Sequence, residues 1–365
     1  MTDSAKTVQV HLGERSYDIT IGTGILAGIG DLVADRCPTW HALVITDENV
    51  EPLAVRAGES LTDADITTDL IVIQPGELSK SVQFADMLWR KCLELGADRK
   101  SVVVAVGGGV VGDLAGFVAA TLARGLRFVQ VPTTLLAQVD SSVGGKVGIN
   151  LPDAKNLVGA FWQPHAVLID ISMLDTLPDR EYRAGLAEVI KYGVILDEDF
   201  FEYLESNIAG LNRREPNVLQ HVVAQSCRLK AQVVEQDERE ESGLRAVLNY
   251  GHTYCHAIES VTGYGVLLHG EAVAIGMVCA SRLAERLGRI STKVTSRQFD
   301  LLNAVGLPTT VPIVDHDKLL DCMRRDKKTE RGALRFILPA RIGHVELVAD
   351  VSEQDVIASL NEDHG

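Results

Sequence analysis

The sequence predicts an α/β domain followed by an all-α domain, on three observations. Short apolar runs rich in Val and Ile alternate with helical segments up to about residue 178. After Leu177-Pro178-Asp179 the texture turns helical, with long stretches rich in Ala, Leu, Glu and Arg. A chain of 365 residues is also longer than one hydrophobic core commonly fills. The runs are Ala42–Thr46, Leu70–Ile73, Val102–Val106, Phe128–Val131 and Ala166–Ile169. They are continuous rather than alternating, which suits strands covered on both faces and hence a largely parallel sheet. The helical stretches are Arg180–Leu196, Pro216–Glu240, His252–Thr262 and Glu271–Leu287. The boundary is expected near 178–183, giving domains 1–180 and 181–365, and no internal repeat stands out.

Composition narrows the function classes. With 46% hydrophobic and 23% charged residues the chain reads as an ordinary globular protein. A net charge of −15 argues against nucleic acid as a partner, because phosphate contacts need a basic surface. An anionic small molecule is still accessible if cations gather locally. The apolar stretch Ser101–Ala123 is interrupted by Gly107, Gly108, Gly109 and Asp113, which favours a buried strand and helix over a membrane span. The opening MTDSAKTVQVHL has no apolar signal region. Six widely spaced cysteines without a C-x-x-C pair look like reduced thiols, so a cytoplasmic location is expected.

The strongest local signal is VVVAVGGGVVGD. A strand runs into Gly107, Gly109 and Gly112 at G-x-G-x-x-G spacing, with a helix expected from about Leu114. Glycines let backbone approach a pyrophosphate, and a helix N-terminus offers N–H groups to it, which makes the first domain Rossmann-like. The acid expected about 20 residues later is missing, since the next strand ends in Pro132-Thr133-Thr134. Asp47, ending an earlier strand, can take that role only if the strand order differs from the common one. It can equally be a plain cap or turn residue. The turn Pro75-Gly76-Glu77-Leu78-Ser79-Lys80 offers two further polar groups.

Asp140-Ser141-Ser142-Val143-Gly144-Gly145-Lys146 is not a Walker A loop, which would need Gly at 140 and Ser or Thr at 147. A small-residue turn presenting Lys146 still suits a phosphate on a small ligand, the bland alternative being a solvated lysine. In the second domain Asn249, His252 and His256 are spaced i, i+3, i+7, which places them on one helix face, with Glu259 three further on. His269 follows, and Glu188 and Lys191 are i, i+3 neighbours upstream. Two histidines and a carboxylate would make a three-ligand catalytic metal site, although spacing alone favours satisfied surface or core histidines.

AVGGGVVGDLAGFVA, RFVQVPTTLLAQVDSSVGGKVGIN, KNLVGAFWQP, RAGLAEVIKYG, LNYGHTYCHAIE and HGEAVAIGM, in this order, resemble the 3-dehydroquinate synthase family of sugar phosphate cyclases over residues 40 to 345. The resemblance implies a homodimer with an N-terminal dinucleotide-binding α/β domain and a C-terminal helical metal-binding domain. It implies NAD and a divalent metal, zinc or cobalt. The implied substrate is an anionic sugar-acid phosphate, 3-deoxy-D-arabino-heptulosonate 7-phosphate. That molecule would be oxidised, stripped of phosphate, re-reduced, opened and closed by aldol addition.

Carried over by motif, the metal ligands are Glu188, His252 and His269. Cofactor contacts fall at Asp47, Pro75, Gly76, Glu77, Leu78, Ser79, Lys80, Gly109, Val110, Val111, Gly112, Asp113, Thr133, Thr134, Lys146, Lys155, Met173, Leu174, Asp175 and Thr176. Arg124, Lys146, Asn156 and His256 would meet the substrate phosphate. Lys191, Lys230, Arg245, Asn249 and Lys327 would grip carboxylate and hydroxyls, with Asp140 supporting the centre. The family pattern is broken at Cys255, where Gly is usual, at Val147 for Thr, and at Leu122-Ala123 for Tyr-Met. Two other readings compete: a cyclase acting on a neutral sugar phosphate, which needs no carboxylate grip, and a non-catalytic NAD-binding protein on the same fold. Arg245 is the discriminating residue, unless it merely pairs with an acid such as Glu241.

Overall fold

A computed structural model describes residues 5–152, 154–263, 265–325 and 334–361. The chain forms two compact units. The first comprises Met1–Leu177 and Leu219–Arg239, the second Pro178–Val218 and Glu240–Gly365. The change of sequence texture predicts a single break, at 180. The segment Leu219–Arg239 instead belongs with the first unit, although helical residues flank it in sequence on both sides.

In the first unit the strands are β1 (Lys6–Val10), β2 (Tyr17–Gly22), β3 (His41–Asp47), β4 (Thr67–Ile73), β5 (Val102–Gly107), β6 (Arg127–Pro132), β7 (Lys146–Leu151), β8 (Ala154–Phe161) and β9 (Ala166–Asp170). Seven of them make one sheet in the order β1-β2-β9-β6-β5-β3-β4, parallel throughout except for the β1–β2 pair. The other two, β7 and β8, pair as an antiparallel hairpin.

The unbroken apolar runs have a direct cause. Successive side chains of a strand point to opposite faces, and both faces of this sheet are buried. Leu43, Ile45, Val103 and Ala105 enter a core with Leu114, Phe117 and Val118 of the helix Gly109–Thr121. Their neighbours Ala42, Val44, Val102 and Val104 enter the other core, against Ile29, Val33, Ala54 and Leu61.

The strand order places three loops on one edge. From β3 the chain goes outward to β4, then crosses to β5 on the other side of β3. Parallel pairing aligns Thr46 with Val106, and Gly107 with Pro132. Asp47, the Gly107–Asp113 turn and Thr133-Thr134 therefore leave the carboxyl ends of three adjacent strands, at the point where the order reverses. Open α/β sheets bind ligands at such points. The acid is on the neighbouring strand, as in a common dinucleotide fold, but that strand comes earlier in the chain.

The second unit is helical, with Asp179–Leu196, His252–Thr262 and His269–Arg286 as the helices that matter for the site. His269–Arg286 is buried along most of its length. One short antiparallel ribbon, β10 (Phe336–Arg341) with β11 (His344–Val348), is added to the expected helices. Gly270 explains how tightly two helices meet: a Cβ there would lie 1.8 Å from the carbonyl oxygen of Ala184.

Candidate active site

Two constellations of the candidate residues form, one in each unit. In the first, the helix starts at Gly109 rather than near Leu114, so Gly109–Asp113 are its first turn and not a preceding loop. Its N-cap, Gly108, has no side chain to satisfy the leading N–H groups, which leaves them available to an anion. Gly107 is required sterically, because a Cβ would lie 2.6 Å from the Val111 side chain. Thr133 donates its N–H to the carbonyl of Gly107 at 3.0 Å, tying the two loops together. Asp47 accepts from the N–H of Asn49 at 2.9 Å, so it is a turn residue as well as a candidate ribose acceptor. Desolvation raises its carboxyl above the ordinary range.

The turn 75–80 is anchored from within. Ser79 donates its hydroxyl to the carbonyl of Gln74 at 2.6 Å. Lys80 is buried and donates to Asp113 at 2.7 Å and also to Asn156. Burial raises the Asp113 carboxyl above its usual range even though the Lys80 ammonium opposes the shift. Asn150 was not read from the sequence. Its amide donates to Glu77 at 2.7 Å, and its side-chain oxygen accepts the N–H of Asn156 at 2.9 Å, so the β7–β8 hairpin organises this loop. Only the motif GGKVGIN hinted at it.

Asp140 lies in the π-helical turn Ala137–Ser141, a geometry that concentrates at functional sites. Lys230 donates both to its carboxylate and to its backbone carbonyl at 2.6 Å. Lys146 follows Gly144 and Gly145, both at positive φ, and is exposed. Lys155, Leu78, Asp175 and Thr176 are also exposed, whereas Met173 and Leu174 are core residues.

Arg124 stands apart. It precedes β6 at the amino edge of the sheet, whereas Thr133 follows β6 at the carboxyl edge. Six strand residues at about 3.3 Å each separate the two by roughly 20 Å. Arg124 and Ala123 both have positive φ, 67° and 51°, a conformation that costs a non-glycine residue about 1 kcal/mol or more.

In the second unit Glu188, His252 and His269 converge, with ligand atoms all within 4.8 Å of one another. Glu188 and Lys191 are buried one turn apart on Asp179–Leu196 and form an ion pair. His252 opens its helix and donates Nδ1–H to the carbonyl of Tyr250 at 3.1 Å. That bond directs Nε2 to within 3.7 Å of Glu188 Oε1. A carbonyl held against the other ring nitrogen in this way fixes the tautomer that a metal needs. Burial, together with the Lys191 ammonium, holds the His252 imidazole well below its usual pKa, so it is neutral and able to ligate. These residues therefore fit a divalent metal.

Asn249 does not share the histidines' helix face, as the spacing had suggested. It ends the turn Leu244–Asn249, and the helix begins after Gly251, whose φ of 78° breaks the periodicity. His256 is exposed and meets the His252 ring edge-on at 5.6 Å. Arg245 is buried, with Nε 3.7 Å from Glu240. Lys327 lies outside the described residues.

His269 carries a pH prediction. Desolvation disfavours its charge, but Glu259 at 3.6 Å and the field of Glu188 outweigh this and raise its pKa. In the metal-free protein the proton is thus held in the folded state. Its stabilisation is complete below the unfolded imidazole pKa and is lost as pH rises through the folded one. A metal must displace that proton. Its affinity falls about tenfold per pH unit on the acid side of the raised pKa, and zinc titration against a chelator from about pH 6 to about pH 8 measures it.

The fold resembles that of metal-dependent cyclases. A structure of 2-deoxy-scyllo-inosose synthase complexed with carbaglucose-6-phosphate, NAD+ and Co2+ superposes with a TM-score of 0.89 at 28% identity, covering 97% of this chain and 99% of the other. A 2-epi-5-epi-valiolone synthase from Streptomyces hygroscopicus with NAD+ and Zn2+ bound gives 0.87 at 28%, covering 96% and 97%. Fold and site together are those of the sugar phosphate cyclase class. Within that class, the N-terminal model of 3-dehydroquinate synthase matches residues 70–184 and the C-terminal model residues 185–329. The 3-dehydroquinate synthase of Rhodopirellula baltica is 50% identical, covering 99% of this chain and 98% of the relative. That of Desulforamulus reducens is 51% identical, covering 98% and 99%. The chain belongs to the 3-dehydroquinate synthase family.

Proposed function

We propose that this protein converts 3-deoxy-D-arabino-heptulosonate 7-phosphate to 3-dehydroquinate and phosphate, using NAD transiently and a divalent metal. The observation that carries this reading is identity of 50–51% along nearly the whole chain with 3-dehydroquinate synthases, against 28% for the cyclases above.

The residues have definable roles. NAD supplies a hydride acceptor, and a metal held by Glu188, His252 and His269 supplies Lewis-acid polarisation of the hydroxyl being oxidised. The leading N–H groups at Gly109–Val111 receive the pyrophosphate, and Asp47 accepts from a ribose hydroxyl. Lys191 balances the Glu188 charge, and Lys230, fixed by its two bonds to Asp140, presents a positioned ammonium. Arg245 and Asn249 receive the carboxylate and a hydroxyl. Oxidation next to the carbon bearing the future carbanion acidifies its proton, phosphate leaves, and the hydride then returns to the same substrate.

The roughly 20 Å between Arg124 and the nucleotide edge of its own unit supports a homodimer in which Arg124 serves the partner's phosphate site. Among the described residues no helix is long and apolar enough to cross a membrane, and we place the enzyme in the cytoplasm.

The test is phosphate release from the heptulosonate phosphate and from a heptulose phosphate lacking the carboxylate, with NADH followed by absorbance. The expected result is release from the first substrate only, NAD being required but not consumed. Preference for the neutral sugar, or NADH formed in step with phosphate, would overturn the proposal.

A further inference from the structure

Next to the three-ligand site lies a second donor set that the reaction does not use. Cys255 and Glu259 are four residues apart on one face of His252–Thr262, and both are buried. His269 faces them across from the next helix. The sulfur is 3.7 Å from Glu259 Oε2 and 3.8 Å from His269 Nδ1, and Nδ1 is 3.6 Å from Glu259 Oε1. Tetrahedral coordination at ordinary zinc–sulfur, zinc–nitrogen and zinc–oxygen lengths requires donor separations of about 3.4 to 3.6 Å. The two contacts of His269 Nδ1, to the sulfur and to Glu259 Oε1, are therefore within about 0.2 Å of what a zinc ion would impose, and one donor atom from each of the three residues lies within 4.8 Å of the others.

Charge favours the same conclusion. In the first set the Glu188 carboxylate is already offset by the buried Lys191 ammonium. In the second set a thiolate and a carboxylate with a neutral imidazole would together balance a dication. Thiolate also selects zinc and cadmium over harder ions. We propose that Cys255, Glu259 and His269 form a second, thiolate-containing site for thiophilic divalent cations that shares His269 with the Glu188–His252–His269 site. Binding forms a metal–sulfur bond and releases the thiol proton to solvent. Because one imidazole belongs to both sets, a cation in the second perturbs the first, so excess zinc or cadmium inhibits the enzyme.

This site is independent of which cyclisation the enzyme performs, and its test needs no substrate. Metal-free full-length protein is titrated with cobalt and followed in the near ultraviolet, where a sulfur-to-cobalt charge-transfer band reports thiolate ligation directly. The expected result is a band that rises with cobalt and is lost in Cys255→Ser and in Cys255→Ala, while both variants still bind one cobalt at the first site. Glu259→Gln should weaken cation binding at the band-forming site at least tenfold. With the substrate assay, excess cadmium should lower turnover at least tenfold in the parent and leave Cys255→Ser unaffected. Absence of the band in the parent at several equivalents of cobalt overturns the proposal without any variant. Persistence of the band in Cys255→Ser also overturns it, since the thiolate would then be another cysteine.

Discussion

Glu188→Gln reduces turnover on the order of a thousandfold and weakens metal binding about a hundredfold or more. The substitution keeps volume and shape, so its effect isolates the charge. Two consequences combine. The metal loses its one anionic ligand in the first site, leaving two neutral imidazoles, and Lewis-acid help worth several kcal/mol goes with it. Lys191, with only 2% of its surface exposed, also loses its ion-pair partner. Stranding a buried charge costs about 3 kcal/mol or more, so the metal-free variant also unfolds at lower urea. Elemental analysis after gel filtration, kcat at saturating zinc and a urea titration read the three effects. Any cobalt that Glu188→Gln retains with a sulfur charge-transfer band sits at Cys255 instead. Retention of parental turnover would remove Glu188 from the metal site.

Arg245→Ala lowers kcat/KM for the heptulosonate phosphate on the order of a hundredfold, and leaves a carboxylate-free analogue nearly unchanged. An arginine with 2% exposure is too deeply buried for a surface ion pair, which is worth a few tenths of a kcal/mol. The fork of a guanidinium can grip a substrate carboxylate at two points, and losing such a charged contact costs about 3 kcal/mol. Arg245→Lys keeps the charge without the fork and falls between parent and Ala. Since the analogue never used the contact, a loss of similar size on both substrates means that Arg245 holds the fold around Leu244–Asn249 and not the ligand.

Legibility followed burial and spacing. Strands β3, β5, β6 and β9 could be read because both faces of the sheet are buried there, so their Val and Ile runs are continuous, whereas the edge strand β4 showed only in its last residues. The β7–β8 hairpin could not, since Gly148 and Gly159 sit where the strands cross too closely for a side chain. A Cβ at these positions would lie 2.7 Å from the Val158 oxygen and 2.3 Å from the Val147 oxygen, and glycine weakens any strand signal. The strands β1 and β2, at the sheet's antiparallel edge, alternate too briefly to stand out. Strand order was half legible. The acid missing after β6 and present after β3 already required a permuted sheet, and β3 next to β5 provides it. The metal donors were carried by family resemblance. Spacing alone connected Asn249 with the histidines, and Gly251 separates them. What no local pattern could give was the pairing of Cys255 with His269 across two helices.

The segment Leu219–Arg239 has a consequence for how the molecule is made. The first unit interrupts itself at Leu177 and resumes only at Leu219, so on the ribosome it waits for 62 further residues, 239 minus 177, before its last piece emerges. At about 5–20 residues per second that is a delay of several seconds, during which the first unit lacks a helix. Asp140 meanwhile lacks Lys230, and the carbonyl of Gln138 lacks the Cys227 thiol that contacts it at 3.2 Å. The second unit therefore begins to emerge before the first is complete. For the same reason a chain cut after Leu177 is not a nucleotide-binding domain but a fragment of one, and the enzyme will not divide there into two parts that fold separately.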